Sequence, residues 1–314
     1  MILVTGGLGF IGLSTARSLI DLGEDVVLTQ FRVARAPDFM SEEFGKRAFI
    51  EQLDVTDAGS FSALGDKYDI TGIVHLAVPG QGALGPFDDY RTNMFGLLNA
   101  MQAAKDWNVK RISIASSIAV YAGIREVPYR EDMTMPLSAG NPTEAYKKSY
   151  EILSGHVAER AGLESVSLRI SGIYGPLYHS MANLPSRLVH AAVHGTDPDF
   201  SRGTPYADDG SDMCYVKDCG RGIALVQTTE KLNHRCYNVA SGFSTTSADL
   251  VDAIHKVIPD AKLDIPSGHA PNSSGVVPWL DITRIREDTG YEPAFNTETA
   301  ISDYIGWLRA GNAQ

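Results

Sequence analysis

The sequence predicts an α/β protein with a doubly wound parallel sheet and a smaller, mixed α/β lobe at its C-terminal end. Two observations carry this prediction. Short apolar runs alternate with amphipathic helical patterns from the first residue, and a glycine-rich turn joins the first run to the first helical pattern. A length of 314 residues is sufficient for one large domain of this class and a smaller lobe.

The first half of the chain supplies the elements of the sheet. Strands are predicted where apolar residues form short runs, at residues 2–5, 26–29, 48–53, 73–77, 111–115 and 165–170. Helices are predicted where apolar residues recur at helical spacing, at 9–22, 60–64, 90–107 and 143–161. Strands that alternate with helices pair in parallel through right-handed crossovers.

The pattern changes after residue 175. Pro, Gly and Asp interrupt residues 198–212, and polar turns replace the regular alternation. We therefore expect one domain over residues 1–175 and a mostly separate lobe over 176–314, with segments near 215–240 returning to the first domain.

Composition excludes several classes of protein. Hydrophobic residues make up 44% and charged residues 21%, which is typical of a globular chain. The net charge of −11 disfavours a nucleic-acid partner, because like charges repel. Three cysteines without a Cys-x-x-Cys pair indicate free thiols and no metal site. No apolar run approaches the length of a membrane span, so we expect a soluble cytoplasmic protein without a membrane partner.

A glycine loop follows the first predicted strand. Gly6, Gly9 and Gly12 form a G-x-x-G-x-x-G pattern between that strand and a helix. Gly6 permits the tight turn, Gly9 lets the backbone approach phosphates, and Gly12 permits close packing of helix on strand. The free N–H groups of the helix start, with Phe10 and Ile11, then face the anion. The loop predicts a Rossmann-type dinucleotide-binding domain for a nicotinamide cofactor.

The end of the second predicted strand bears on the choice of cofactor. An acidic residue here binds the adenosine ribose of NAD, but this chain has Gln30, with Arg32 and Arg35 following. Arginine suits the additional phosphate of NADP. The sequence therefore favours NADP, with NAD as the alternative and with two solvated surface arginines as the structural interpretation.

Further motifs occur in a fixed order along the chain. They are Leu53-Asp54-Val55, His75-Leu76-Ala77, Asn93, Ser116-Ser117-Ile118-Ala119-Val120-Tyr121, Tyr146, Tyr174-Gly175-Pro176, Tyr215-Val216-Lys217-Asp218, Tyr237-Asn238-Val239 and Trp307-Leu308. With the glycine loop, this set resembles the extended short-chain dehydrogenases/reductases of the NAD-dependent epimerase/dehydratase branch. The resemblance covers almost the whole chain.

The resemblance implies roles for individual residues. Asp54 and Val55 would border the adenine, and Asn93 and residues 76–78 (Leu76, Ala77 and Val78) would contact the cofactor. Ser117 would bind the substrate oxygen, and Tyr146 would exchange a proton with it. A homodimer is also implied, through the helices that contain Leu97, Leu98, Met101, Ile152 and Leu153.

One residue departs from the family pattern. A lysine is expected four residues after the tyrosine, but Tyr150 stands there. At about 100° per residue, Tyr150 lies about 40° from Tyr146, whereas Lys147 and Lys148 are displaced by about 100° and 200°. We therefore list Tyr150 with the catalytic and cofactor-binding candidates and expect neither lysine to replace the missing one. Without that charge, the phenol of Tyr146 should be less acidic.

The substrate anchors of nucleotide-sugar enzymes are also missing. The family asparagine before Tyr-Gly-Pro is Gly172, and the arginine before Tyr-Val-x-Asp is Ser211. Neighbouring aspartates, Asp208, Asp209 and Asp212, make that segment anionic, which should repel a diphosphate. Candidate substrate contacts, each with a structural alternative, are Ser117, His179, Met181, Asn183, Arg187 and Tyr206.

These observations favour an NAD(P)-dependent oxidoreductase that interconverts an alcohol and a carbonyl on a small, non-nucleotide substrate. The first alternative is a sugar or nucleotide-sugar epimerase/dehydratase with tightly bound NAD. The second is a cofactor-binding protein with little catalysis.

Overall fold

The computed structural model describes residues 1–31, 37–78 and 84–312. Strands, in chain order, are β1 (Ile2–Thr5), β2 (Val26–Gln30), β3 (Ala48–Gln52), β4 (Gly72–His75), β5 (Arg111–Ser117), β6 (Ser165–Ile170), β7 (Gly172–Tyr174), β8 (Gly210–Ser211), β9 (Met213–Tyr215), β10 (Cys236–Val239) and β11 (Thr245–Thr246). Helices are α1 (Phe10–Asp21), α2 (Ala58–Lys67), α3 (Pro86–Asp106), α4 (Pro142–Ala161), α5 (Leu184–His194), α6 (Val216–Thr228), α7 (Ser247–Val257), α8 (Thr283–Thr289) and α9 (Thr297–Arg309).

Seven strands form one parallel sheet in the order β10-β6-β5-β4-β1-β2-β3. The order reverses direction at β1 and β4, which places a crevice at the carboxyl ends of these two strands. This sheet confirms the predicted fold class, and its first six strands lie within two residues of the predicted runs.

Helices cover both faces of the sheet. On one face, α1 and α6 bury an apolar cluster that includes Leu19 and Ile223. On the other face, α2, α3 and α4 bury a second cluster that includes Phe61 and Leu97. Burial of both faces explains why the strands read as continuous apolar runs in the sequence, without alternation.

A third apolar cluster lies in the C-terminal part of the chain. It joins α5, α7 and α9 around residues such as Leu188, Ile254 and Ile301. The two-residue strands β8 and β11 pair antiparallel beside it, whereas β7 pairs in parallel with β9. The predicted boundary at residue 176 remains a prediction.

Residues 183–312 contain helices that the sequence analysis did not assign. Two of them begin with a capping box, Thr246 with Asp249 for α7 and Asn296 with Thr299 for α9. Such a pair satisfies free N–H groups of the first turn and is visible in a sequence. Over the described ranges, none of the helices is long and apolar enough to cross a membrane.

Candidate active site

The glycine loop connects β1 to α1 at the carboxyl edge of the sheet. Gly6 adopts a φ of +67°, which favours glycine, and its N–H donates to Thr29 Oγ1 at 3.3 Å. A Cβ on Gly12 would lie 2.7 Å from the Cα of Gly7, so α1 approaches the loop closely only because Gly12 has no side chain. At Gly9, a Cβ would meet the carbonyl oxygen of Gly6 at 3.1 Å.

The sequence analysis overlooked Gly7. A Cβ at this position would lie 2.9 Å from the Cα of Leu28 on β2. Gly7 therefore lets the loop pack directly on the neighbouring strand. The doubled Gly-Gly after β1 was the available signal, because the predicted motif needs only the first of the two.

A cleft of about 470 Å³ opens beside this loop. It is lined by Gly6, Gly9, Phe10, Ile11, Gly12, Leu76, Val78, Ala115, Ser116, Ser117, Thr143, Tyr146, Lys147, Ile170, Ser171, Ile173 and Tyr178. The lining combines the start of α1 with the ends of β4, β5 and β6. Glycine backbone, a helix N-terminus and an apolar wall are the features that a dinucleotide requires, so the residues present fit such a group.

Ser117 and Tyr146 both line this cleft. Ser117 is the last residue of β5, and its Oγ accepts a hydrogen bond from Ala119 N at 3.2 Å. Tyr146 lies in the second turn of α4, is 3% exposed, and has its hydroxyl 3.4 Å from Thr143 Oγ1. The structure thus brings together the two residues to which the sequence assigned proton transfer and substrate positioning.

Tyr150 takes a different place from the predicted one. Its ring lies 6.0 Å from that of Tyr146, but its hydroxyl donates to the backbone carbonyl and to Oδ1 of Asn93, at 3.1 Å each. Tyr150 is 1% exposed, and neither it nor Asn93 is among the described residues that line the cleft. The two residues join α4 to α3, and burial raises the pKa of the Tyr150 phenol.

Lys147 corrects the expectation drawn from helical angles. Its side chain is buried and lines the cleft, and its Nζ donates to the Ala115 carbonyl on β5 at 2.5 Å. Helical angles describe where a side chain leaves the backbone, whereas four methylene groups carry the ammonium several ångströms further. Lys148 is also buried, but its Nζ donates to the Ser138 carbonyl at 2.6 Å and lies outside the lining.

A buried polar network supports the floor of the site. Ser116 Oγ donates to Glu151 Oε1 at 2.5 Å, and Glu151 pairs with Arg169 at 2.7 Å. Arg169 also donates to the Tyr121 hydroxyl at 2.9 Å, and that hydroxyl donates to Asn238 Oδ1 at 2.8 Å. The network ties β5, α4, β6 and β10 together beneath Ser117.

His75 lies at the end of β4, under the glycine loop. It is 1% exposed, and its Nδ1 lies 2.9 Å from Thr5 Oγ1, which also accepts from Ala77 N. Burial, with a smaller contribution from the charge of Lys147, lowers the pKa of His75 to about 3. His75 is therefore a neutral group that holds β4 and residue 77 against β1.

The predicted adenine-side residues have local partners. Asp54 Oδ1 accepts from Thr56 N at 2.9 Å and from Thr56 Oγ1 at 2.7 Å. The Val55 carbonyl accepts from Asn99 on α3 at 3.0 Å. Gln30 ends β2 and its carbonyl accepts from Leu53 N at 2.9 Å. Arg32 and Arg35 lie outside the described residues.

The candidate substrate residues on the C-terminal side have structural contacts. Asn183 caps α5 and donates to the Ile173 carbonyl at 2.7 Å. Arg187 donates to the Asp199 carbonyl at 2.8 Å, and the Tyr206 carbonyl accepts from Asp209 N at 3.2 Å. His179 is exposed, and Met181 has a φ of +48°. Of the six substrate candidates, only Ser117 is among the residues that line the cleft.

Small residues stand at the positions of the two missing anchors. A Cβ on Gly172 would lie 2.7 Å from Met213 Sδ, so a larger residue does not fit without movement of the Met213 side chain. Ser211 Oγ lies 3.3 Å from the Asp212 carbonyl.

Two of the neighbouring aspartates bind the protein's own groups. Asp212 is fully buried and accepts from Ser241, Gly242 and Leu280. Hydrogen bonds from Ser273, Ala270 and His269 lower the pKa of Asp209 to about 2. These carboxylates hold loops in place, and the repulsion of a diphosphate by this segment stays a prediction.

The cysteines are free, as the sequence predicted. Burial raises the pKa of Cys214, Cys219 and Cys236, which keeps the thiols protonated. They are therefore packing residues of the sheet and α6 and not nucleophiles.

The fold and the cleft define a dinucleotide-binding enzyme of the extended short-chain dehydrogenase/reductase class. The model of the NAD dependent epimerase/dehydratase family matches residues 2–240, and the chain belongs to this family. The resemblance seen in the sequence is thereby confirmed.

Individual relatives span the whole chain. UDP-glucuronate 4-epimerase of Thermodesulfobacterium geofontis is 26% identical, covering 98% of this chain and 95% of the relative. Among solved structures, UDP-glucose 4-epimerase of Thermotoga maritima with UDP-glucose superimposes with a TM-score of 0.82 at 22% identity, covering 99% of each chain. UDP-glucose 4-epimerase of Bifidobacterium longum, in complex with NAD+ and UDP, gives 0.81 at 22%, covering 98% of each.

These comparisons change the order of the functional interpretations. They support the epimerase/dehydratase alternative better than a general oxidoreductase acting on a small substrate. The preference for NADP finds no support, since the family is NAD dependent.

Proposed function

We propose that this protein is an NAD-dependent sugar or nucleotide-sugar epimerase or dehydratase that keeps its cofactor bound through the cycle. The observation that carries the proposal is the shared cleft, because Ser117 and Tyr146 line the same cavity as the glycine loop. A substrate held in this cavity would share it with both side chains and with a dinucleotide on the loop.

The residues of the chain divide the work as follows. The glycine loop and the first turn of α1 hold the phosphates, and Leu76 and Val78 border the cofactor. NAD, when held by these residues, would supply reversible hydride acceptance at the substrate carbon. Ser117 Oγ holds the substrate oxygen. The Tyr146 side chain, as a phenolate, takes up the proton of that oxygen and, as the resulting phenol, returns it. Ile170 and Ile173 help to exclude water from the cleft.

NAD is the proposed cofactor. The family is NAD dependent, and the Bifidobacterium longum relative carries NAD+. Gln30 can exchange hydrogen bonds with the ribose hydroxyls through a neutral amide. Only Arg32 and Arg35 favour NADP. The ratio of the dissociation constants for NAD and NADP measures their contribution.

The test is to identify what the purified protein carries and what it converts without added cofactor. We expect NAD to be released on denaturation. With a panel of UDP- and dTDP-sugars, we expect a new epimer or a dehydrated product, with no net change in nicotinamide absorbance. Tyr146→Phe should lower turnover about 10²- to 10⁴-fold while NAD stays bound. Turnover that consumes reduced cofactor in equal amount would contradict the proposal, as would bound NAD without any conversion.

A second candidate is a reductase of small, non-nucleotide carbonyl compounds. The observation in its favour is the absence of a basic or amide anchor at Gly172 and Ser211. A panel of such carbonyls with NADH and NADPH distinguishes it, because only this candidate oxidises cofactor continuously.

The proposal includes a homodimer, with an interface formed by fewer residues than the resemblance implies. Leu97 and Met101 are buried in their own domain, whereas Leu98 and Ile152 are 38% and 61% exposed. Phe95, at 54% exposed, adds to this face of α3 and α4. Sedimentation of Ile152→Glu against the unchanged protein tests whether this face joins two copies.

A further inference from the structure

The ammonium of Lys147 lies beside the rings of both tyrosines of α4. Its Nζ is 5.6 Å from the ring centre of Tyr146 and 4.9 Å from that of Tyr150. A hydrogen bond to the Ala115 carbonyl fixes it at the end of β5, two residues before Ser117. Although Lys147 leaves the helix one residue after Tyr146, its charged end thus lies in the wall of the cleft.

This ammonium has no direct counter-ion among the described residues. Glu151, one turn along α4, is a carboxylate that raises the pKa of Lys147. This carboxylate already pairs with Arg169. His75, on β4, is neutral. Asp89, on α3, contributes to the raised pKa of Tyr150. Burial lowers the pKa of Lys147 to about 7, the cost of holding a weakly compensated cation here.

We infer that Lys147 supplies the positive charge for Tyr146 that the helix position at Tyr150 does not supply. This inference rests on the proposed function, since it assigns a group that acts on the proton-transferring tyrosine. Lys147 is a positioning residue, because it acts through Tyr146.

The physical reason is charge proximity. A cation within about 4 to 6 Å lowers the pKa of an acid by about 1 to 3 units, because it stabilises the ionised form. The phenolate of Tyr146 and the ammonium of Lys147 would each be unfavourable alone in a buried site, whereas together they compensate each other.

The charge-removing variant is Lys147→Gln, which keeps a donor for the Ala115 carbonyl. Lys147→Arg keeps the charge. Lys148→Gln is the matched control, since Lys148 is buried on the same helix but its Nζ bonds to Ser138 away from the cleft. Retained NAD and an unchanged circular dichroism spectrum establish that each variant is folded.

The readout is the titration of Tyr146 itself, by NMR of the full-length protein with ¹³C at tyrosine Cζ. Tyr146→Phe assigns the resonance. We expect Lys147→Gln to raise the apparent pKa of Tyr146 by about 1 unit or more, and Lys147→Arg and Lys148→Gln to leave it within about half a unit. The acid limb of the turnover profile should move with it. An unchanged Tyr146 titration in Lys147→Gln would overturn the inference, and so would an equal change in Lys148→Gln.

This titration needs no substrate. Failure of the sugar assay with a normal lysine effect would therefore reject the proposed reaction and leave the role of Lys147 intact. If Lys147→Gln does not fold, the comparison between Lys147→Arg and a Lys147→Met protein refolded with NAD gives the same contrast of charge against no charge.

Discussion

The glycine loop and helix α4 both line one cleft, but the loop contributes backbone atoms and the helix contributes side chains. The loop works through its backbone. Gly7 and Gly12 leave no room for a side chain, and Gly6 adopts a positive φ. Helix α4 works through long side chains, and Lys147 reaches the cleft from a position that its helical angle does not indicate. A backbone site is thus readable from residue spacing, whereas a site made of flexible side chains depends on where their ends are held.

The largest expected effect on cofactor binding is on the loop side. Gly12→Ala places a Cβ 2.7 Å from the Cα of Gly7, where backbone cannot yield cheaply. We expect a loss of stability of about 1 to 3 kcal/mol or more and loss of retained NAD. Gly155→Ala on α4 is the control, because its Cβ meets nothing within 4 Å and alanine should stabilise the helix by up to about 1 kcal/mol. Equal NAD content in both variants would contradict the steric account of the loop.

On the α4 side, the largest effect is expected at the buried ion pair. Glu151→Gln leaves the Arg169 guanidinium, 4% exposed, without its carboxylate. Breaking such a pair costs about 3 to 5 kcal/mol, whereas an exposed pair contributes about 0 to 1 kcal/mol. Urea unfolding of Glu151→Gln and of Glu126→Gln, which faces solvent beside Arg130, measures the contrast. Equal midpoints would show that the network beneath Ser117 contributes nothing.

The histidine under the loop should make stability depend on pH. The folded-state pKa of His75, about 3, lies below its unfolded value of 6.5, so the unfolded chain binds the additional proton. Stability from this group is complete above pH 6.5 and is lost as pH falls towards 3, by about 2 kcal/mol at pH 5. The free energy of unfolding should therefore fall more between pH 7 and pH 5 in the unchanged protein than in His75→Asn. Parallel pH dependence would remove His75 as the cause.

The smallest effect is expected at Tyr150. Tyr150→Phe removes the hydroxyl that bonds Asn93 and leaves the ring in place, so we expect a loss of about 1 kcal/mol of stability. Turnover should stay within about threefold, because the hydroxyl bonds α3 and not the cleft. A loss of turnover comparable to that of Tyr146→Phe would show that Tyr150 is a catalytic residue.

The fold was predictable because both faces of the sheet are buried, and continuous apolar runs mark such strands. The glycine loop was predictable because residue spacing defines it. Ser117 and Tyr146 were identified through the resemblance to the family, and their roles stay predictions. The partner of Tyr150 was not, since Asn93 lies on another helix 57 residues away. Nor were the contacts of Asp209 and Asp212, whose carboxylates bind groups about 30 to 70 residues distant in the chain.

The central claim is that the lysine charge has moved along α4 without leaving the site. Transfer of the lysine back to the family position tests it most directly, by comparing turnover in Lys147→Gln with that in the double variant Lys147→Gln/Tyr150→Lys. Both proteins are first shown to retain NAD. We predict that the single variant loses activity and that the double variant recovers a large part of it, with Tyr146 again titrating at lower pH. A double variant no more active than the single one, with bound NAD and an unchanged Tyr146 titration, would contradict the account.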